Sequence, residues 1–530
     1  MYDTLIRGGT VVDGRGGSPR RADVGVRDGR ITAVGDLTGY GARRQIDASG
    51  LMVSPGFIDS HCHSELSLLA DPSAEAKLRQ GVTTEILGNC GWSTFPTGGA
   101  VAAIRDLSGP IFGHPEIVWD WSDLSGYFQR LADVGTSVNV ATLVGHGSVR
   151  AAVMQLEDRT ATSGELDAMR ALVQTAMDQG ALGFSSGLAY PPGVYASPNE
   201  LSELAAVSSR AGGIYATHMR DQVDGLVDSV REALEVGRRA KTPVLISHHK
   251  SVGRRNFGKV DQTLAMVDEA NSDGFEVSSD IYPYLAGSSS MLMLLPPWVW
   301  AGSLEDILAR LRDGAMRARI ARELKTGLPG WENRVAAVGW ENIVIAHVGS
   351  ERNAHLLELT VLEAAAQAQK PPIQFLCDLL LEERCDVGDL TLNSCEDDLL
   401  AVLTHTRTVV GSDGLDVGEK PHPRLYGTFP RVLGQYVREE AALSMATAVR
   451  KMTGQTADLF RLRERGYLKP GYQADIVVFD PAVIRDTATY ENPRQFAVGI
   501  EHVIVGGISS ILAGQLTGDF GGRNLKRGAQ

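Results

Sequence analysis

Short apolar runs alternate with longer amphipathic stretches through the middle of the chain. Helical periodicity separates most of these runs, as in Asp224–Ala240 and Val260–Asn271. Strands that alternate with helices are typical of parallel βα units, and eight of them predict an α/β fold of the TIM-type (β/α)8 barrel class. The eight strand candidates are Met52–Ile58, Thr83–Leu87, Val138–Val144, Ala181–Ser185, Ile214–Ala216, Pro243–Ser247, Glu276–Asp280 and Thr408–Gly411.

The two ends of the chain show a different pattern of short strands and turns. Asp28-Gly29 separates two alternating runs near the N-terminus, which is a hairpin signal. Ala474–Asp480 and His502–Gly507 resume this pattern near the C-terminus. We therefore predict one small β-sandwich domain built from both ends, with two unrelated β-caps as the alternative.

The gap between the last two strand candidates is too long for one crossover. Residues 286–394, approximately, are therefore predicted to contain an insertion that acts as a lid. Val344–His347 is a ninth strand-like run inside this gap, so the prediction of eight barrel strands depends on leaving this run out. The predicted domains are residues 1–55 and 465–530 for the β-sandwich and residues 56–464 for the barrel.

Composition and charge narrow the class of protein. The 530 residues are 43% hydrophobic and 22% charged, as in ordinary globular proteins. The net charge of −13 argues against a broad nucleic-acid or anionic-membrane surface, since both partners require a positive field. No leader or membrane-spanning run is visible, and the five cysteines do not resemble a disulfide framework. We expect a cytoplasmic protein that acts on a small molecule, with no nucleic-acid or membrane partner; the sequence leaves its oligomeric state open.

Metal-binding residue types recur where the apolar runs stop. Catalytic groups of a barrel project from the C-terminal ends of its strands, so these side chains are expected at one mouth. Taken singly, each has a common alternative role, such as a loop histidine, a buried cysteine or a turn aspartate. Together they offer the nitrogen and sulfur donors that Zn²⁺ prefers, beside one carboxylate. They are His61, His63, Cys90, His218, His248 and Asp413.

This combination suits the hydrolysis of an amide. An amide carbonyl is a poor electrophile and water is a poor nucleophile; zinc can polarise the first and lower the pKa of the second to about 7. A carboxylate must then take the proton of the water and give it to the leaving amine. Asp413, alone between small residues after the last strand, is our candidate for that role.

Several motifs resemble a known family. The segment Gly56–His63 resembles the first-strand signature of the amidohydrolase superfamily, and Arg465–Asp475 resembles a motif common across it. The chain is similar over nearly its whole length to the N-acyl-D-amino-acid deacylases, or D-aminoacylases, of that superfamily. The segments that carry this similarity are Gly88–Gly91, Leu143–Gly147, Ser185–Tyr190, Thr217–Arg220, Ile246–Lys250, Tyr282–Ser288, Gly411–Gly414 and Pro421–Arg424.

The resemblance implies a zinc ion that is held by a cysteine. In that family, the residues that match Cys90, His218 and His248 hold the tight metal. Those that match His61 and His63 complete a second, weaker site that shares the cysteine.

The resemblance also implies roles around the metal. The residue that matches Asp413 is the proton shuttle, and the one that matches Tyr190 polarises the scissile carbonyl. The chain departs from the family at one position. The residue directly after the histidine pair is usually acidic in the family, whereas here it is Ser64, followed by Glu65. We therefore expect the second site to hold its metal less firmly. The residues expected to hold the substrate carboxylate are Lys250, Tyr282, Ser288 and Arg424.

The activity implied by the resemblance is hydrolysis of N-acyl-D-amino acids to a carboxylate and a free D-amino acid. A cyclic-amide hydrolase, such as a hydantoinase or dihydroorotase, is one alternative, but it would need a carboxylated lysine where the fourth strand ends in Ser185-Ser186. A non-catalytic scaffold is the other, and its ligands would be expected to have eroded. We expect hydrophobic D-side chains, because Met291–Trp300 is apolar and offers no cation.

Overall fold

The chain has a mixed α/β fold in a computed structural model that describes residues 1–97 and 101–528. Its strands are β1 (Tyr2–Val11), β2 (Arg20–Arg27), β3 (Arg30–Gly35), β4 (Ala42–Asp47), β5 (Met52–Pro55), β6 (Phe57–Asp59), β7 (Val82–Leu87), β8 (Asn139–Thr142), β9 (Val144–Gly145), β10 (Gly183–Gly187), β11 (Ile214–His218), β12 (Val244–Ile246), β13 (Val277–Ile281), β14 (Ala286–Ser290), β15 (Ile343–Val348), β16 (Val387–Leu392), β17 (Thr408–Val410), β18 (Ile476–Phe479), β19 (Ile500–Val505), β20 (Ile508–Leu512) and β21 (Gln515–Leu516).

Helices follow most of the strands from β6 to β17. They are α1 (Ser67–Ala70), α2 (Glu75–Leu78), α3 (Val101–Phe112), α4 (Leu124–Val134), α5 (His146–Met154), α6 (Ser163–Asp178), α7 (Pro198–Arg210), α8 (Leu226–Ala240), α9 (Lys259–Ser272), α10 (Leu304–Arg312), α11 (Gly314–Thr326), α12 (Arg334–Val338), α13 (Val361–Gln367), α14 (Pro372–Glu382), α15 (Glu396–Thr404), α16 (Arg424–Arg431), α17 (Met445–Met452) and α18 (Gly454–Leu459). Among the described residues, none of these helices has the length and apolar content needed to cross a bilayer.

The middle of the chain forms two sets of parallel strands. One set has the order β17-β13-β12-β11-β10-β9, and the other has the order β6-β7-β8. Backbone hydrogen bonds connect the two sets, from Ser60 N to Val410 O at 3.4 Å and from Leu182 N, directly before β10, to Thr142 O in β8 at 2.8 Å. Strands in both sets are almost entirely buried, as expected for parallel strands that are covered by helices.

Two strand predictions differ from the structure. The run Val138–Val144 is two short strands, β8 and β9, rather than one. The run Met52–Ile58 is divided between two sheets, because β5 pairs with β1 and β18 whereas β6 pairs with β7. The division falls at Gly56, where a Cβ atom would lie 2.2 Å from Thr83 Oγ1. A residue with a side chain could not approach β7 so closely at this crossing.

Strands from both ends of the chain form a nine-stranded sheet. Its order is β21-β20-β19-β18-β5-β1-β2-β3, with β4 beside β1. The Asp28-Gly29 hairpin prediction is confirmed, since these residues join the antiparallel pair β2 and β3 with φ values of 52° and 72°. Both positive φ values match the tight turn that Asp-Gly favours.

The segment between β13 and β17 forms its own antiparallel sheet with helices α10–α14. The order in this sheet is β14-β16-β15, and Val344–His347 lies in β15, outside the parallel sets. The apolar run that follows Ser290 folds into two short 3₁₀ helices, Met291–Leu294 and Pro297–Trp300. Most of its side chains are buried, so this segment is packed into the molecule.

Candidate metal centre and substrate pocket

Six predicted side chains meet where the parallel strands end. Backbone hydrogen bonds join the ends of β6 and β17, with Asp413 N donating to His61 O at 2.6 Å and His63 N donating to Gly414 O at 3.1 Å. Residues far apart in sequence converge here because parallel strands present their C-terminal ends at one edge. The six side chains are His61, His63, Cys90, His218, His248 and Asp413.

The first donor group consists of Cys90, His218 and His248, all of them buried. His248 Nε2 lies 3.0 Å from His218 Nδ1 and 3.5 Å from Cys90 Sγ. Tetrahedral zinc, with bonds of about 2.0–2.3 Å, separates neighbouring nitrogen and sulfur ligands by roughly 3.3–3.6 Å. The three atoms therefore fit one zinc ion and leave its fourth position for water or substrate.

The second donor group consists of His61, His63, Asp413 and, again, Cys90. His61 Nε2 lies 3.2 Å from Cys90 Sγ and 3.4 Å from Asp413 Oδ1. His63 Nε2 lies 3.3 Å from the same carboxylate oxygen. Asp280 Oδ2 lies 3.2 Å from His61 Nδ1 and orients that ring from its other side. The two groups thus share one sulfur atom.

The charges in both groups favour a bound cation. Burial disfavours the Cys90 thiolate, but the charge of His61, together with a hydrogen bond from His218, outweighs burial and holds the pKa of the thiol well below its usual value. For His63, burial is outweighed by Asp413 and Cys90, which raise the pKa of the imidazole to about 9. A proton on His63 therefore compensates buried negative charge, and a metal ion can take its place.

The backbone is strained at three residues of this site. Cys90, His248 and Asp413 have φ values of 54°, 35° and 49°, in the left-handed region that non-glycine residues rarely adopt. Such residues cost about 1–3 kcal/mol each and cluster at functional sites. Burial, followed by the neighbouring His218, lowers the pKa of His248 to about 3, so its imidazole is in the neutral form that binds metals.

A pocket beside the two donor groups brings the predicted substrate residues together. Lys250 Nζ donates a hydrogen bond to Tyr282 Oη, and the Arg424 guanidinium lies over the Tyr282 ring at 4.5 Å. Arg424 is 1% exposed, and its Nη1 lies 2.9 Å from Asp413 Oδ2. Its Nε and Nη2 have no hydrogen-bond partner among the described residues. The lining includes Tyr190, Lys250, Tyr282, Ser288 and Arg424.

Tyr190 and His249 both lie near the first donor group but have different hydrogen-bond partners. The Tyr190 ring lies 5.1 Å from the His218 ring, and its hydroxyl donates to Cys90 O at 2.6 Å. Burial raises the pKa of Tyr190 well above its usual value, so the hydroxyl stays a donor at neutral pH. His249 follows His248 in the chain, but its Nε2 lies 2.8 Å from Thr263 Oγ1 on α9.

The sequence analysis missed several residues of the site. Arg334 and Gln222 line the pocket, and Asp280 contacts both His61 and the backbone of His248. Asp280 stands at the end of a predicted strand, which is the same signal that identified the histidines. Gln222 lies in the loop that follows β11 and Arg334 lies in the segment between β14 and β15, but neither residue type is a usual zinc ligand, so the search for metal-binding residues did not mark them.

Known proteins resemble this chain over its full length. Residues 44–509 match the model of the amidohydrolase family. The chain is 38% identical to a D-aminoacylase of Alcaligenes xylosoxydans xylosoxydans, over 100% of this chain and 98% of that protein. It is also 38% identical to an N-acyl-D-glutamate deacylase of the same organism, over 95% of this chain and 93% of that protein.

A solved structure shows the same similarity in three dimensions. It is an N-acyl-D-glutamate deacylase from Bordetella bronchiseptica, complexed with zinc and a phosphonate inhibitor that mimics the tetrahedral intermediate of the reaction. The two chains superpose with a TM-score of 0.84 at 34% identity, and the match covers 99% of each.

Proposed function

This chain belongs to the amidohydrolase family, in the group that includes the D-aminoacylases, and from that membership we propose that it hydrolyses N-acyl-D-amino acids. The products are a carboxylate and a free D-amino acid. The observation that carries the proposal is the buried Cys90–His218–His248 group, which shares a pocket with Asp413 and Arg424. A metal site, a carboxylate and a cation for the substrate are the parts that this reaction requires.

Zinc is the metal that the donor atoms fit best. We assign the tight site to Cys90, His218 and His248, and a second, weaker site to His61 and His63 with the shared cysteine. Bound there, zinc would make the amide carbonyl more electrophilic and water more acidic. Neutral imidazoles and an ionised thiol are the forms in which these side chains bind metal.

Asp413 is the proposed proton carrier. Burial opposes its charge, but the Arg424 guanidinium holds the pKa of Asp413 well below its usual value, so the carboxylate is ionised at neutral pH. It can accept a proton from the attacking water and pass it to the leaving amine. We assign Tyr190 the role of donating a hydrogen bond to the scissile carbonyl, since its hydroxyl lies beside the first donor group.

The α-carboxylate of the substrate is proposed to bind at Lys250, Tyr282, Ser288 and Arg424. Two nitrogens of the buried Arg424 have no partner among the described residues, and a carboxylate would satisfy both. If this is correct, Lys250→Ala raises KM for free N-acyl-D-amino acids. We expect the unaltered protein to hydrolyse substrates with an amidated carboxyl group slowly. Lys250→Ala should slow their hydrolysis little further. Equal hydrolysis of acids and amides by the unaltered protein would contradict this clamp.

Hydrophobic side chains remain our proposed preference for the amino acid. Met293, Leu415 and Ile111 give the pocket an apolar wall, and Met293 comes from the apolar run that the sequence analysis singled out. Arg334 also lines the pocket, but its Nε donates to Glu332, which neutralises its charge. The test compares kcat/KM for N-acetyl-D-leucine and N-acetyl-D-glutamate. A clear preference for glutamate would overturn the side-chain assignment and leave the deacylase assignment intact.

The finer architecture is part of the same proposal. We infer that the two parallel sets close into one (β/α)8 barrel, because hydrogen bonds join them at Ser60 and at Thr142. The nine-stranded sheet corresponds to the proposed β-sandwich domain of residues 1–55 and 465–530. The segment between β13 and β17 corresponds to the lid, since β14 carries Ser288 to the pocket. The cytoplasmic location remains a prediction from the sequence.

A kinetic comparison of enantiomers tests the proposed activity. The zinc-loaded protein is given N-acetyl-D- and N-acetyl-L-leucine, and free amino acid is measured over time. We expect hydrolysis of the D-enantiomer at a kcat/KM at least about a hundredfold above that of the L-enantiomer. Hydrolysis of neither, or of a cyclic amide in preference, would contradict the proposal.

A further inference from the structure

A buried carboxylate from the segment between β14 and β15 reaches the back of the metal centre. Glu332 is 3% exposed, and its Oε2 accepts a hydrogen bond from Gln222 N at 3.1 Å. The side-chain amide of Gln222 lies 3.0 Å from His248 Nδ1, and its Nε2 donates to His248 O at 3.2 Å. Glu332 is therefore connected through a single residue to a proposed zinc ligand.

We propose that Glu332 is a positioning residue for the metal, which acts through Gln222 on the imidazole of His248. The inference rests on the proposed zinc site. His248 turns Nε2 toward the first donor group, so whatever contacts Nδ1 sets the orientation of the ring. A metal-binding Nε2 requires the proton on Nδ1, so the Gln222 amide would then accept it with its oxygen after a half turn, which exchanges the Nε2 hydrogen bond to His248 O for one from Nδ1. That oxygen has no hydrogen-bond partner among the described residues.

The charge of Glu332 is maintained by the segment that carries it. Burial opposes the charge, but Arg334 holds the pKa of Glu332 below its usual value. Arg334 Nε donates to Glu332 Oε1, and Arg334 Nη1 donates to Ser289 Oγ at 3.1 Å. Hydrogen bonds to an ionised group in a buried setting are strong and directional. The backbone of Gln222 is therefore held by a fixed acceptor rather than by water.

This arrangement makes zinc affinity depend on a segment that supplies no ligand. Gln222 and Arg334 both line the substrate pocket, so one short chain of contacts joins the pocket wall to His248. Removing an outer partner of a metal ligand typically weakens metal binding by about 10–100-fold. We expect a loss in this range when either Glu332 or Gln222 is changed.

The chain offers a matched control in the same segment. Glu323 is 7% exposed and accepts hydrogen bonds from Trp298 Nε1 at 2.6 Å and from Arg319 Nε at 2.7 Å. It is a buried carboxylate with two donors, like Glu332, but it contacts no proposed ligand. Glu323→Gln therefore measures the general effect of neutralising a buried carboxylate in this segment.

The experiment measures zinc affinity by competition with a chelator in the metal-free, full-length protein. Glu332→Gln and Gln222→Ala should each weaken the tight site by about 10–100-fold, and the double variant should be no weaker than either, because both act through one contact chain. Glu323→Gln should bind zinc within about twofold of the unaltered protein. Co²⁺ bound by Glu332→Gln should also show an altered thiolate absorption band.

The possible outcomes separate this inference from the proposed function. Unchanged zinc affinity in Glu332→Gln, or additive losses in the double variant, would overturn it while deacylase activity stands. An unaltered protein that binds no zinc would remove the metal site and this inference together. If Glu332→Gln does not fold, Glu332→Asp keeps the charge at a shorter reach, and the same loss of affinity with a normal melting temperature is expected.

Discussion

The two donor groups share Cys90 but differ in the protonation state of their histidines. In the first group, His248 is already neutral, because burial and His218 lower its pKa to about 3. In the second group, His63 carries a proton, since Asp413 and Cys90 overcome burial and raise its pKa to about 9. Asp413 is also paired with Arg424. We therefore expect the two groups to bind metal with different affinities despite similar donor distances, because a metal would have to displace the His63 proton and compete with Arg424 in the second group.

The largest effect is expected from the shared ligand. Cys90→Ala removes the sulfur from both groups, so both metals should be lost. Turnover should fall by more than the about 10²–10⁴-fold that loss of a general base costs, because the metal that activates both water and the amide is lost as well. Metal content by mass spectrometry and kcat are the measurements, with the buried Cys377→Ala on α14 as the control. A fully active, metal-free Cys90→Ala protein would contradict the assignment of Cys90 as a ligand in both donor groups.

The next effect separates proton transfer from metal binding. Asp413→Asn keeps the shape of the side chain and removes the base, so kcat should fall by about 10²–10⁴-fold. The first donor group does not include Asp413, and its zinc should stay bound. Near-normal turnover in this variant would move the proton-carrier role to another residue.

The pH dependence of metal binding tests the difference directly. The pKa of His63 is raised, so this side chain is protonated below about pH 9 and a second metal must displace that proton. The apparent affinity of the second site should therefore fall by up to about tenfold for each unit of decreasing pH. His248, with a pKa of about 3, adds no such dependence to the first site. Chelator-buffered titrations at about pH 6 and about pH 8 measure both sites; equal slopes for the two would contradict the comparison.

The smallest effect is expected from a ligand that belongs to the second group alone. His63→Asn should abolish the weak site and leave the tight zinc in place. The change in kcat should remain below about tenfold, the lower end of what loss of a metal-supporting group costs. Loss of the tight zinc from this variant would show that the two groups bind as one unit.

The sequence was sufficient, for a physical reason, to predict that the six candidate side chains lie together. Apolar runs mark strands, and a polar metal-binding residue directly after a run must lie at the edge where parallel strands end. This reasoning predicts that His61, His218 and Asp413 lie close together although more than 300 positions separate the first from the last. In the structure, their side chains lie in the two buried donor groups that share Cys90.

Other features were not predicted. The prediction of one strand over Met52–Ile58 passed over the Pro55-Gly56 pair, which often interrupts a strand, and the change of sheet falls at Gly56. Glu332 contacts Gln222 across 110 positions, and although Gln222 lies in the loop that follows β11, no sequence pattern connects it with Glu332. Contacts between a long insertion and the site depend on tertiary packing, which neither periodicity nor local motifs record.

One zinc ion in the Cys90–His218–His248 group is sufficient for deacylation if the comparison between the two groups is correct. A titration tests this most directly: metal-free protein receives Zn²⁺ stepwise while hydrolysis of N-acetyl-D-leucine is followed. We expect activity to rise linearly to about one equivalent and then to stop rising, both in the unaltered protein and in His63→Asn. Activity that requires two equivalents, or that is complete before any zinc is added, would contradict it.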